Sequence, residues 1–263
     1  MIEKLPWSDD YTSPEPCPGF LARALPSVAF YPGLASIVVR ASRKAKRGLY
    51  DDREWVASSA EVTRLIERIG GRIQVEGTAA LDTLDGPAVY VGNHMSTLET
   101  FVLPSILRPR GPVTFIVKRE LVEMPVFKHV MISRNPVVVG RENPREDLRA
   151  MMDGGLERLR AGVSIIVFPQ RTRAPWFAPD EFNSVGVKLA RRAGVPVVPV
   201  ALRSDLWGIG KVVKDFGPIR PQLPVRFRFG QPMAVSGNGR EEHETIVAFI
   251  VDNLRAWGVP IRS

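Results

Sequence analysis

The chain of 263 residues is 44% hydrophobic and 24% charged, a balance that excludes a disordered or fibrous protein and suffices for one domain with an added arm. A single cysteine, Cys17, excludes an internal disulfide and gives no sign of an oxidising compartment. A net charge of +8 suits polyanionic company (nucleic acid, anionic lipid or phosphorylated substrates) but serves solubility equally well, so where the charge sits decides more.

The start, MIEKLPWSDD, has no basic region followed by an apolar core, so no secretory signal is expected. The Pro-rich stretch Ser13–Pro18 follows as a flexible lead-in. Leu21–Val39 is mostly apolar, but Arg23, Pro26, Pro32 and Gly33 interrupt it. A spanning helix needs roughly 20 clean apolar residues, so an interfacial or re-entrant element is expected instead. Arg40, Arg43, Lys44, Lys46 and Arg47 come directly after, and an apolar segment beside a basic cluster suits anionic headgroups. The other reading is a core helix followed by a solvated turn. From Asp51 to Ile69, Trp55, Val62, Leu65, Ile66 and Ile69 recur at helical spacing. Asp51 and Asp52 suit the start of that helix, and Gly70 and Gly71 its end. Residues 1–70 are thus expected to form a lead-in and a helical, membrane-associating arm, and residues 71–263 the main domain.

The main domain alternates. Short β-branched runs lie at Ala88–Val91, Val113–Val117, Val137–Val139, Ser164–Val167 and Val197–Ala201, with helical patterns between them at Arg145–Arg160 and Asn183–Ala193. Runs apolar throughout, separated by helices, predict an α/β fold with a largely parallel central sheet flanked by helices. Val225–Phe229 alternates as an edge or half-exposed strand would, and a last helix is expected from about Glu241 to Trp257.

Ligands in such sheets gather beyond the carboxyl ends of the strands. After the first run come Gly92, Asn93, His94, Met95, Ser96, Thr97, Leu98 and Glu99. On one continuous helix His94 and Glu99 would diverge by about 140°. They meet only if His94 lies in the turn and Glu99 in the first helical turn. Ser96 with Glu99 three residues on is a capping-box pattern that starts a helix there. Two readings follow. Glu99 orients His94 as a general base, in the manner of a triad acid, or Glu99 is only the capping acid and His94 an ordinary turn histidine. The next run ends carry Lys118, Arg141, and Arg171 with Arg173, which together suggest a site for a phosphate or another anion. There is no nucleophile elbow, no Walker A loop, no zinc-ligand spacing and no nucleic-acid recognition motif.

Four blocks stand in order: NHMSTLE from Asn93, VVVGR ending at Arg141, FPQRTR over Phe168–Arg173, and VPVVPV from Val195 to Val200. Over about residues 70–230 they resemble the glycerolipid acyltransferase family, whose blocks read NHxSxxD, an apolar strand ending in arginine, FPEGTR and VPVxPV. The resemblance implies a membrane-associated acyltransferase that moves a fatty acyl group from acyl-ACP or acyl-CoA to the hydroxyl of a lysophospholipid, 1-acyl-glycerol-3-phosphate or a related anionic lipid. His94 would be the general base and Glu99 its orienting acid, with Lys118, Arg141, Gln170, Arg171, Thr172 and Arg173 binding substrate. It implies no metal and no bound cofactor, since the acyl carrier protein or coenzyme A thioester is a co-substrate. The implied partners are an anionic membrane surface and the lysophospholipid, not nucleic acid, at the cytoplasmic face of the membrane. Glu99 replaces the usual aspartate, and Gln170 and Arg171 replace Glu-Gly, which puts the identity of the acceptor in question. A catalytically silent lipid-binding protein on the same fold is the alternative. Beyond the third block, Trp176 and Phe177 among prolines suit either a membrane-facing loop or ordinary core packing.

Overall fold

The computed structural model describes residues 5–140, 143–170, 172–211 and 213–262. Its strands are β1 (Tyr11–Thr12), β2 (Ile73–Glu76), β3 (Val89–Gly92), β4 (Val113–Lys118), β5 (Val137–Val139), β6 (Ser164–Val167), β7 (Val197–Arg203) and β8 (Val225–Phe229). They form one sheet in the order β1-β2-β8-β7-β3-β6-β4-β5. The pairings β2–β8, β7–β3, β3–β6, β6–β4 and β4–β5 are parallel, whereas β1–β2 and β7–β8 are antiparallel. The α/β class holds, but the sheet is mixed. The cause is local: the described residues between β7 and β8 form no helix, so no helical crossover carries β8 back to a parallel start. β8 is half-exposed as its alternation predicts, yet it lies inside the sheet between β2 and β7 rather than at an edge.

The helices are α1 (Phe20–Ala24), α2 (Pro26–Lys46), α3 (Asp52–Arg68), α4 (Leu98–Leu107), α5 (Arg119–Glu123), α6 (Lys128–Ser133), α7 (Pro144–Arg160), α8 (Val185–Ala193) and α9 (Arg240–Ala256). Two apolar layers sandwich the sheet. Tyr90, Ile166, Val198 and Phe227 share one with Phe30 and Ile37 of α2 and Ile66 of α3. Val89, Val91, Ile165 and Val197 share the other with Leu156 of α7, Leu189 of α8 and Ile250 of α9. Adjacent strand residues thus point into opposite cores, which is why the central runs are apolar at every position.

α3 forms as its periodicity predicts. Asp51 caps it, its side chain accepting from the Glu54 amide at 2.9 Å. In α2 the prolines and Gly33 do not break the helix. Pro26 occupies its first turn, and Gly33 is where α3 presses close, since a Cβ there would lie 2.9 Å from Leu65 Cδ1. The basic cluster, except Arg47 at the C-cap, therefore lies in the last turns of α2 rather than in a solvated turn after it. One side of α2 buries Phe30, Leu34, Ile37 and Ala41. Phe20, Leu21, Leu25 and Val28 of the α1–α2 segment remain exposed. No helix among the described residues is long and apolar enough to cross a membrane. The expected flexible lead-in is partly fastened: Ser13 is buried, and its hydroxyl accepts from the Ile73 amide at 2.9 Å.

Candidate active site

β3 is central, with β7 on one side and β6 on the other, and the candidate residues collect where these three strands end. Asn93 fastens the end of β3 to β7. Its amide donates to the Leu202 carbonyl and accepts from the Leu202 N–H, both at 2.8 Å. The chain then turns, and His94 is held from both sides of its backbone. Its N–H donates to Gln170 Oε1 at 2.6 Å, and its carbonyl accepts from the Ala174 N–H at 3.1 Å. The imidazole lies flat on Phe168, with ring centroids 4.5 Å apart and 5° between planes.

Glu99 meets both descriptions open from the sequence. Its Oε1 lies 2.8 Å from His94 Nδ1 and also accepts from the Met95 and Ser96 amides at 2.8 and 3.0 Å. Its Oε2 accepts from the Ser96 hydroxyl at 3.0 Å and from the Ser204 hydroxyl. α4 starts at Leu98, later than the pattern at Ser96 suggests, because the Ser96 hydroxyl accepts from the Leu98 N–H at 3.0 Å. So Glu99 caps the turn and orients the histidine with one carboxylate.

Glu99 is fully buried. Burial alone pushes its carboxyl up, but the hydrogen bond and charge of His94, with the bonds from Ser204 and Ser96, more than offset this and hold it below the ordinary glutamate value. An ionised carboxylate only accepts, so His94 Nδ1 carries the hydrogen and Nε2 presents a lone pair. The His94 side chain remains 21% exposed, so the ring is not sealed from solvent. The arrangement can remove a proton from a hydroxyl and carry the resulting positive charge.

The other expected residues divide. Gln170 turns its side chain to the His94 backbone. Arg173 reaches Thr97, three residues beyond His94, but its Nη1 is also paired with Asp215 Oδ1 at 2.6 Å. Lys118 ends β4, two strands from β3, and Thr172 is exposed. Arg141 and Arg171 lie outside the described residues. Phe177 is not at a membrane-facing tip: it is fully buried against Phe182, and Trp176 lies beneath the Arg262 guanidinium. Its backbone explains this, pairing with Pro260 and Arg262 near the C-terminus. Ser204, Thr97 and Asp215 were not expected from the sequence. Ser204 directly follows β7, so reading that run end like the others finds it; Asp215 sits in a loop with no pattern to mark it.

A family model described as Acyltransferase matches residues 72–203. The chain is 32% identical over 149 residues to the 1-acyl-sn-glycerol-3-phosphate acyltransferase of Pseudomonas aeruginosa, covering 57% of this chain and 55% of that protein. It is 27% identical over 201 residues to the enzyme of the same name from Cocos nucifera, covering 74% and 62%. The matches thus span little more than half the length of these curated relatives. The crystal structure of the 1-acyl-sn-glycerophosphate (LPA) acyltransferase PlsC from Thermotoga maritima aligns with a TM-score of 0.62 at 24% identity, over 88% of this chain and 95% of that one. That likeness is one of fold.

Proposed function

The chain belongs to the acyltransferase family, and from that premise we propose that it transfers a fatty acyl group from acyl-ACP or acyl-CoA to the hydroxyl of a lysophospholipid, 1-acyl-glycerol-3-phosphate or a related anionic lipid. The observation that carries this reading is the 2.8 Å contact between His94 Nδ1 and a wholly buried, ionised Glu99. His94 Nε2 takes the proton of the acceptor hydroxyl as that oxygen attacks the thioester carbonyl carbon. The C–S bond then breaks, and the departing sulfur takes the proton from the imidazolium. Glu99 keeps the ring in place and offsets its transient charge. General-base help of this kind contributes about 10²–10⁴ in rate. Gln170 acts on the site through the His94 backbone. Arg173 and Lys118 supply positive charge beyond the carboxyl ends of the strands, and Arg141, Arg171 and Thr172 are proposed from the sequence alone to bind substrate with them.

The lipid acceptor and the exposed side chains of α1 and α2 support a seat on an anionic membrane surface, at the cytoplasmic face. Phe20, Leu21, Leu25 and Val28 would enter the interface while Arg43, Lys46 and Arg47 face the headgroups. Arg40 and Lys44 are paired with Glu61 and Glu54 of α3 and contribute less.

The test is acyl transfer from a thioester donor to lysophospholipid in anionic vesicles, comparing wild type with His94→Ala. Loss of at least about 100-fold in the variant is expected. Equal turnover in both proteins would refute the mechanism. Vesicle binding by a wild type that transfers nothing would favour the silent lipid-binding reading.

A further inference from the structure

The loop that joins β7 to β8 holds apolar side chains outward on a closed frame. It narrows at its base, where Trp207 and Ile219 form an antiparallel bridge and the Gly208 N–H donates to the Pro218 carbonyl at 2.9 Å. A Cβ on Gly217 would lie 1.9 Å from the Gly208 oxygen, so only glycine permits this approach. A second rung closes the loop nearer its tip. There the Gly210 N–H donates to the Lys214 carbonyl at 3.1 Å, and a Cβ on Gly210 would lie 2.1 Å from the Val213 oxygen. On this frame Val213 is 51% exposed and Phe216 63%, with Lys211 and Lys214 exposed beside them.

One exposed apolar side chain needs no explanation, but these adjoin others. The Phe216 ring packs against Tyr31 of α2, with centroids 5.5 Å apart. The Tyr31 hydroxyl donates to the Gly217 carbonyl, and the Ile219 N–H donates to the Ser27 hydroxyl at 3.0 Å. The loop is thus fastened to the start of α2, where Leu25 and Val28 are exposed. On its inner side the same loop supplies Asp215, which pairs with Arg173 at 2.6 Å and accepts from the Thr97 hydroxyl at 3.0 Å.

We infer that residues 208–217 form a second lipid-contact element, which sets Val213 and Phe216 into the apolar edge of an anionic bilayer and Lys211 and Lys214 against its headgroups. The inference rests on the membrane seat proposed above for its occupant and adds a separate point of attachment to it. Charge selects that occupant: lysines set between apolar side chains match a surface that is anionic outside and apolar within. The frame closed by the two glycine rungs exists before lipid arrives, so insertion orders little further chain. Two attachments also do what one cannot. Contact through α1 and α2 alone leaves the molecule free to roll about α2. The loop stops that roll and turns the Arg173–Asp215 side of the site toward the headgroups.

The experiment replaces Cys17, the single cysteine, by serine and attaches an environment-sensitive fluorophore to Val213→Cys, Val28→Cys or Leu148→Cys. Leu148 is exposed on α7, across the sheet from α2. With mixed phosphatidylcholine–phosphatidylglycerol vesicles containing a nitroxide-labelled lipid, the fluorophore at Val213 should shift to the blue and be quenched like that at Val28, while that at Leu148 stays unchanged. Lys211→Gln with Lys214→Gln should weaken partition onto these vesicles by about tenfold or more and leave partition onto pure phosphatidylcholine as it was. Quenching at Val28 but not at Val213 overturns the loop inference alone, and the reverse sinks the α1–α2 seat alone. No binding to either vesicle overturns both. Unchanged partition of the lysine variant overturns the inference as well. So does a blue shift at Val213 that grows with protein concentration in the absence of vesicles, because a second copy of the chain would then be what covers the loop.

Discussion

Replacing Glu99 by glutamine separates its two duties. Both carboxylate oxygens accept, Oε1 from His94 Nδ1, Met95 N and Ser96 N, and Oε2 from the Ser96 and Ser204 hydroxyls. A glutamine fits best in one orientation: its oxygen stays with the imidazole and the amides, and its NH₂ faces two hydroxyls that can rotate to accept, losing only the second, 3.1 Å contact of the Ser96 amide with Oε2. The turn and the tautomer survive, and the charge does not. Hydrogen bonds to an ion contribute about 1.5–3 kcal/mol and neutral ones about 0.5–1.5. Several are weakened at once, but a neutral amide is also easier to bury than a carboxylate. A net loss of about 1–3 kcal/mol follows, visible as a Tm lowered by about 2–10 °C. Activity should fall much further, by about 10²–10³ in kcat, equivalent to roughly 3–4 kcal/mol of transition-state stabilisation. KM should hold, because Glu99 is fully buried and touches no substrate. The stability difference also has a sign in pH. The folded carboxyl lies below the ordinary value near 4.5, so its contribution is complete above that value and is lost as pH falls through the lower folded one. Denaturant midpoints of the two proteins should therefore converge below about pH 4.5. A folded variant that keeps more than about a third of wild-type kcat would refute the reasoning, because the charge would then have no part in catalysis.

Ser204→Ala removes one donor to the same carboxylate and should cost about 1–2 kcal/mol in urea denaturation with a several-fold drop in kcat. Gly217→Ala places a methyl 1.9 Å from the Gly208 oxygen, so the loop base must open; a loss of about 1–3 kcal/mol and faster proteolysis in residues 208–217 are expected. His243 is held below its ordinary value by burial, stacked on Phe182, with Lys188 adding to this and Glu244 opposing it. Its stabilising contribution is present above about pH 6.5 and declines as pH falls through the lower folded value, so His243→Gln should flatten the wild-type loss of stability in that window. Leu25→Ser with Val28→Ser should weaken partition onto anionic vesicles by about tenfold without lowering Tm, since both side chains are exposed.

What could be read from the sequence follows from which forces act locally. β3, β6 and the Val197–Ala201 stretch of β7 announce themselves because both of their faces are buried, so their runs are almost wholly apolar. β2 escapes notice because Ile73 and Val75 alternate with Gln74 and Glu76 over only four residues. α4 is legible only from its start, through the Ser96–Glu99 cap; it is buried nearly all round and carries Pro104, so it has neither polar face nor clean period to mark its length. α2 runs through Pro32 because tertiary packing of Phe30, Leu34 and Ile37 outweighs the local break. At the site, His94 and Glu99 were visible as a pair because turn and cap are neighbours in sequence. Their outer partners were not. Ser204 and Gln170 lie in the loops after β7 and β6, 108 and 76 residues distant from Ser96 and His94, and only the sheet order brings them together. The pairing of Arg173 with Asp215 is likewise set by a loop whose path no local pattern reveals.

The parallel ladder between β2 and β8 joins Ile73 to Val225 and Glu76 to Arg228. On a ribosome these partners are made roughly 150 residues apart, and at about 5–20 residues per second the first waits some 8–30 s for the second. During that interval β2 has only the two-residue β1 beside it, and Ile73 and Val75, fully buried in the finished molecule, lack their cover on one side. The same ladder that locks two distant parts of the chain together therefore makes the nascent chain a client for whatever shields unpaired strands, and makes synthesis of β8 the step that joins β2 to the rest of the sheet.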